Sequence, residues 1–118
     1  MEKNNEKGMY YSYLDARNKF GSQMPTREQF AELKNFCSWK WNGKGYLVTG
    51  DNGNSINLPA SGYRDCNGDI KGVGYSGDYW SISQLNSAYA HGLGFTQGGV
   101  SEGSSKQCVG LSIRLVKN

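Results

Sequence analysis

Two periodicities divide the chain. Apolar residues first recur at helical spacing; from Cys37 onward they alternate with polar ones, as half-buried strands do. Tyr13, Ala16 and Phe20 predict a short first helix, with Ser12 as its cap, Asp15 reaching back and Gly21 as its stop. A second helix follows Pro25. Thr26 caps it, Gln29 completes a capping box, and Phe30, Leu33 and Cys37 share one face, with Glu28, Glu32 and Lys34 turned largely to water. Ahead of both, residues 1–7 are polar or charged and predict a disordered leader. Met9, Tyr10 and Tyr11 predict a short strand.

The strand region opens with Trp39 and Trp41, which alternate with polar neighbours. Tyr46 to Thr49 and Ser55 to Leu58 flank Asp51-Asn52-Gly53-Asn54, a hairpin signal, and Pro59 ends the second strand because it cannot donate to a ladder. Residues 61–77, rich in Gly, Asp and Asn, predict a long ordered loop. Three further strands are expected: Tyr79 to Ser83, Tyr89 to Thr96, and Val109 to Lys117. In the last, Val109, Leu111, Ile113 and Leu115 share a face, which makes it the clearest strand by pattern. Gln97 to Gln107 holds no apolar residue except Val100 and reads as a loop. Helices first and antiparallel strands after predict an α+β fold.

Length sets the number of cores. The 118 residues suit a single domain over residues 8–118, since dividing them would starve both halves of apolar surface. Only 36% of residues are hydrophobic, but 13% are aromatic, and large rings bury much area each. The 17 glycines against two prolines point to many tight turns. Charge adds little: the net +3 is spread too thinly for a phosphate-neutralising stripe, so nucleic acid is not an expected partner. No apolar run reaches the length of a membrane span. The polar stretch from Met1 to Tyr13 predicts no signal peptide. That implies a cytoplasmic protein, unless the chain belongs to a longer exported one or is displayed on a virion tail or cell surface.

Little in the chain gathers catalytic chemistry. His91 is the one histidine, so a multi-histidine metal cluster within one chain is excluded, and no nucleophile-elbow sequence is present. Asp65 and Asp69 sit in an Asn/Gly-rich loop, but the EF-hand spacing is missing and turn chemistry accounts for them. Gly72-Val73-Gly74 lacks the Lys-Ser/Thr ending of a phosphate loop. Cys37, Cys66 and Cys108 are far apart and form no CxxC. Reduced or buried thiols are the preferred reading, with a single bridge as the alternative and Cys108 as the one residual nucleophile. The expectation is a protein with no catalytic residues, metal or cofactor.

The positive signal is local. Between Gly74 and Gln107, 34 residues include seven Gly, seven Ser and three Tyr but only three charged residues. Tyrosine gives wide amphipathic contact at low entropy cost, serine and asparagine adaptable hydrogen bonds, and glycine close backbone approach; antibody paratopes use the same set. Within Ala88 to Phe95, Ala90, Leu93 and Phe95 are natural core positions, while Tyr89, His91, Gly92 and Gly94 project elsewhere. Fixed core residues with recognition residues between them suit a display surface.

The ordered series Met24-Pro25-Thr26-Arg27-Glu28-Gln29-Phe30, Cys37-Ser38-Trp39-Lys40-Trp41, Gly45-Tyr46-Leu47-Val48-Thr49-Gly50, Gly53 to Arg64, Asp78-Tyr79-Trp80-Ser81-Ile82-Ser83 and Val109 to Val116 resembles the Fibrobacter succinogenes major paralogous domain. The resemblance spans roughly residues 10–117. It implies a C-type-lectin-like fold related to the formylglycine-generating enzyme scaffold. It also implies a role like that of the variable proteins of diversity-generating retroelements, in phage tail receptor-binding proteins and bacterial surface adhesins. The partner would then be a protein or glycan receptor on a cell surface, with oligomerisation left open; a structural or assembly domain of a cell surface or phage particle is the alternative. Carried over, Trp80, Ser81, Ala90, Leu93, Phe95, Gly110 and Arg114 are scaffold. The expected display residues are Ser76, Asp78, Tyr79, Ser83, Asn86, Tyr89, His91 and Gly94, with Ser104, Lys106 and Gln107 in the following loop. Two departures matter. The proline-centred calcium triplets of sugar-binding lectins are absent, and so is the cysteine pair of the formylglycine-generating enzyme.

Overall fold

Both helix starts follow their capping residues. In the computed structural model, which describes residues 10–115, α1 spans Tyr13–Phe20 and the Ser12 hydroxyl accepts from Asp15 N at 3.3 Å. Gly21 ends it at φ 49°, a positive-φ conformation that glycine adopts without a Cβ penalty. A single 3₁₀ turn, Gly21–Gln23, then leads toward α2, Arg27–Phe36. There Thr26 Oγ1 accepts from Gln29 N at 3.0 Å and Gln29 Oε1 accepts from Thr26 N at 2.8 Å, so the capping box closes.

The strands form three antiparallel sheets. Strands β1 (Ser38–Trp41), β2 (Gly45–Thr49) and β3 (Ser55–Pro59) make a meander in chain order. Leu47 lies opposite Asn57 and Thr49 opposite Ser55, so the expected hairpin is present. β4 (Tyr63–Arg64) and β5 (Ile70–Lys71) form a two-residue ladder inside the segment expected to be loop. β6 (Ser76–Gln84), β7 (Tyr89–Thr96) and β8 (Gly99–Lys106) make the longest sheet, in the order β6-β7-β8. The fold is thus α+β, with two short helices and antiparallel sheets.

Two strand expectations require correction. The segment from Gln97 to Gln107 is not a loop: after a two-residue turn at Gln97 and Gly98, β8 pairs with β7 along eight residues. Its residues are mostly exposed, so no apolar alternation marks it, and the main chain of β7 templates it instead. Conversely, Val109 onward makes isolated bridges rather than a ladder: Gly110 with Arg64, Leu111 with Tyr11 and Ser112 with Tyr79. Its alternation is real, since Leu111 and Ile113 are buried, but the segment threads between three partners. Val116 and Lys117 lie outside the described residues, as do Met9 and the expected leader over residues 1–7.

Consecutive residues on a strand point to opposite faces, and β6 buries both. Tyr79 and Trp80 are each 0% exposed. Tyr79 faces a cluster with Phe30, Tyr46, Val48, Leu58, Leu93 and Phe95; Trp80 faces one with Tyr13, Ala16, Met24, Ala90, Leu111 and Ile113. The sheet therefore divides the core, with α2 and the meander packed on one side and α1 and the C-terminal segment on the other. Rings dominate both halves. Tyr46 meets Phe95 edge-on at 5.1 Å and Trp41 at 5.2 Å, and Tyr13 meets Trp80 at 5.6 Å. Their polar atoms are satisfied: Trp80 Nε1 donates to Tyr11 O at 2.8 Å and Tyr13 Oη to Ile82 O at 2.6 Å.

Cysteine usage also departs from the preferred reading. Cys66 and Cys108 form a disulfide, with Cα atoms 5.3 Å apart, and Cys37 is free. Distance along the chain concealed the pair, because its members are 42 positions apart. The bridge ties the Asp65–Asp69 turn to the end of β8. That turn is built as expected of its aspartates: Asp65 Oδ1 accepts from Asn67 N and Asp69 N, both at 3.0 Å. The Asp69 main-chain contact, aided by Lys71 at 3.2 Å, holds the Asp65 carboxyl below the usual range.

Candidate functional site

The β7–β8 hairpin gathers part of the expected display set. Tyr89 pairs with Lys106 and His91 with Ser104, so these four residues form a block on one face of two adjacent strands. Leu93 and Phe95 continue the same face inward and anchor it in the core. Tyr89 and His91 are half-buried, while Ser104 and Lys106 are exposed. Sheet parity alone explains the grouping, because every second residue of β7 shares a face with every second residue of β8.

Two depressions flank this block. One, of about 180 Å³, lies between α2 and β8; Arg27 and Phe30 line it from the helix, and His91, Glu102 and Ser104 from the strands. Its lining brings together a guanidinium, an imidazole, a carboxylate, a hydroxyl and an aromatic ring. The other, of about 540 Å³, is bordered by Leu14, Ala88, Tyr89, Lys106, Gln107 and Cys108, and its walls are chiefly apolar. Arg27 and Glu102 escaped sequence reasoning. Arg27 carries no signal beyond its place at the start of the second helix, and Glu102 acquires a place only once β8 is recognised as a strand; the turn signal at Gly98-Gly99 was the available clue.

The remaining expected residues do other work. Tyr79 is the main correction: its ring is buried on Phe95 and its hydroxyl donates to Pro59 O at 2.8 Å, so it is core and cannot meet a ligand. Ser83 Oγ accepts from Arg27 N at 3.0 Å and ties β6 to the start of α2. Asn86 Oδ1 accepts from Ala88 N and Tyr89 N, shaping the β6–β7 turn. Gln107 Nε2 donates to Asn86 O at 2.9 Å and Tyr89 O at 3.2 Å, bracing the tyrosine from behind. Ser76 abuts Gly72, and Asp78 and Gly94 pair on the opposite face from Tyr89. A side chain at Gly94 would meet Asp78 Oδ1 at 2.9 Å, so variation there must push the carboxylate aside. Cys108 holds its sulfur in the disulfide.

Asp78 is the group whose titration the fold changes most clearly. Burial pushes its carboxyl up to about 6. The native state therefore holds a proton that the unfolded chain has already released between about pH 4 and 6. Stability falls as pH rises through that window and is flat above it. Asp78→Asn should match the parent near pH 4 and melt progressively higher than it toward pH 7. Thermal melts at half-unit pH steps check this, and a constant gap between the two chains at all pH values would count against it.

Among the described residues no three His, Cys, Asp or Glu side chains gather as metal ligands, and no helix is long and apolar enough to cross a membrane. No family model, curated protein or solved structure matches the chain. The motif resemblance given above thus rests on its residues alone.

Proposed function

We propose that the chain is a non-catalytic receptor-binding domain of C-type-lectin-like fold, whose recognition surface is the exposed face of the β7–β8 hairpin and its two depressions. One observation carries this: Tyr89, His91, Ser104 and Lys106 pair across two strands whose neighbouring positions, Ala90, Leu93 and Phe95, are locked in the core. Such a block can change its side chains without disturbing the fold beneath. Tyr89 supplies an amphipathic ring, Lys106 and Arg27 positive charge, Glu102 negative charge, and Ser104 a hydroxyl. That combination suits a protein or glycan receptor on a cell surface. An exposed disulfide persists in oxidising surroundings, which supports a place on a virion tail or cell surface. Diversification by a retroelement would account for the crowding of Tyr, Ser and Gly over residues 76–107.

Labelled chain incubated with a panel of intact bacterial cells tests the recognition surface. Tyr89→Ala with His91→Ala should weaken capture by roughly 30-fold, the effect of losing one interface anchor of about 2 kcal/mol. The melting temperature should fall by no more than about 5 °C, and the chain should stay folded at the assay temperature. Unchanged capture by the double variant refutes the surface. Diversification has a separate test: a near-identical downstream repeat differing mainly at adenines, beside a reverse transcriptase gene.

A further inference from the structure

Strand β8 is an edge of the β6-β7-β8 sheet, and no other strand among the described residues pairs with its outer side. The hairpin turns on Gln97 and Gly98 alone, so Thr96 and Gly99 close it as a hydrogen-bonded pair. That fixes the parity of the whole ladder. Gly99, Ser101, Gly103 and Ser105 aim their main-chain groups at β7, and the bond from Gln107 N to Ala88 O at 2.9 Å continues the series. Val100, Glu102, Ser104 and Lys106 aim theirs outward. Of these outward groups, only the Lys106 carbonyl has a partner among the described residues, Val109 N at 3.0 Å.

An open edge invites another strand, and the side chains along this one say which. Glu102 and Lys106 are exposed, share one face, and form no ion pair among the described residues. An antiparallel copy of β8 could pair with it in several registers that respect the outward parity. A two-fold axis at Glu102 sets Glu102 against itself, and like charges directly opposite are destabilising. An axis at Gly103 sets Glu102 against Ser104 and leaves both charges unmatched. An axis at Ser104 sets Glu102 against Lys106 of the other copy, twice, with Gly103 opposite Ser105 and nothing bulky between. The strand is complementary to itself in that register.

We infer that β8 is a homodimerisation edge, joining two copies of this chain about Ser104 into one six-stranded sheet held by two Glu102–Lys106 pairs. The recognition blocks of both copies then lie on the same face, so a multivalent receptor is met twice. The paired stretch is short, which makes the dimer reversible and dependent on concentration and salt.

Sedimentation equilibrium of the full chain, over a wide concentration range and at low and high salt, tests this without any ligand. It therefore stands or falls separately from receptor recognition. A dimer that grows with concentration and weakens with salt is expected. Glu102→Lys and Lys106→Glu, singly, should each weaken it roughly tenfold or more, because attraction becomes repulsion at both pairs. The two changes together should restore it. Ser104→Pro should leave a folded monomer, since it removes an outward N–H from an edge strand, where proline is tolerated; circular dichroism checks the fold. A chain that stays monomeric throughout overturns the inference. So does a dimer indifferent to single reversals, or one that the double swap fails to restore.

Discussion

Tyr79→Ala is expected to cost about 3–5 kcal/mol of folding stability, the range for emptying a buried aromatic site. The ring is 0% exposed, stacks on Phe95 at 6.1 Å, and sits in the cluster that joins α2, the meander and β6. Its hydroxyl donates to the Pro59 carbonyl, and Tyr79→Phe, which removes that bond and keeps the ring, should cost about 1 kcal/mol. Domains of this size are stable by only about 5–15 kcal/mol, so the alanine variant should melt roughly 15 °C lower. Tyr89→Ala, on the half-exposed side of the hairpin, should cost no more than about 1 kcal/mol. Urea titrations of the three variants separate the two tyrosines. A Tyr79→Ala chain as stable as its parent would return position 79 to the surface, with any receptor contact it makes.

The contrast between those two tyrosines shows what the chain discloses on its own. Local signals were legible. Ser12, Thr26 and Gln29 cap helices through bonds spanning three residues, and the Asp51–Asn54 turn sets the β2–β3 register. Alternation correctly marked Leu93 and Phe95 as core and Leu111 and Ile113 as buried. Position 79 was illegible because alternation assumes one wet face per strand. β6 has none along its middle, so Tyr79 and Trp80 are both buried and a tyrosine there looks like any display residue. β8 failed for the opposite reason. It has two wet faces, so its Gly and Ser residues carry no hydrophobic rhythm, and its strand state is inherited from β7. Glu102 and its neighbourhood with Arg27 became visible only through that pairing. Of the expected site, the part that survives as a surface block, Tyr89, His91, Ser104 and Lys106, is the part whose register depends on a single two-residue turn.

The disulfide poses the same problem across a longer distance, and removing it should have the next largest effect. Closing a loop across 42 residues of separation restricts the unfolded chain by about 4 kcal/mol in the chain-entropy account. Cys66→Ser with Cys108→Ser should therefore lower stability by about 2–4 kcal/mol, the lower figure if the unfolded state stays compact. The fold should survive, because Arg64 and Gly110 exchange main-chain bonds of 2.8 and 2.7 Å close to the bridge. Thiol titration of the denatured, unreduced parent should count one free thiol, Cys37; three would exclude the bridge. Dithiothreitol should shift the urea midpoint of the parent toward that of the double-serine chain and leave the latter unmoved. The consequence reaches the recognition face. Cys108 borders the larger depression beside Lys106 and Gln107, and Gln107 braces the Tyr89 carbonyl. Once the bridge is cut, hydrogen bonds and the packing of Val109 hold the end of β8 without a covalent tie. Cell capture by the double-serine chain should then fall even at temperatures where it is fully folded, whereas an effect confined to melting would make the bridge purely a staple.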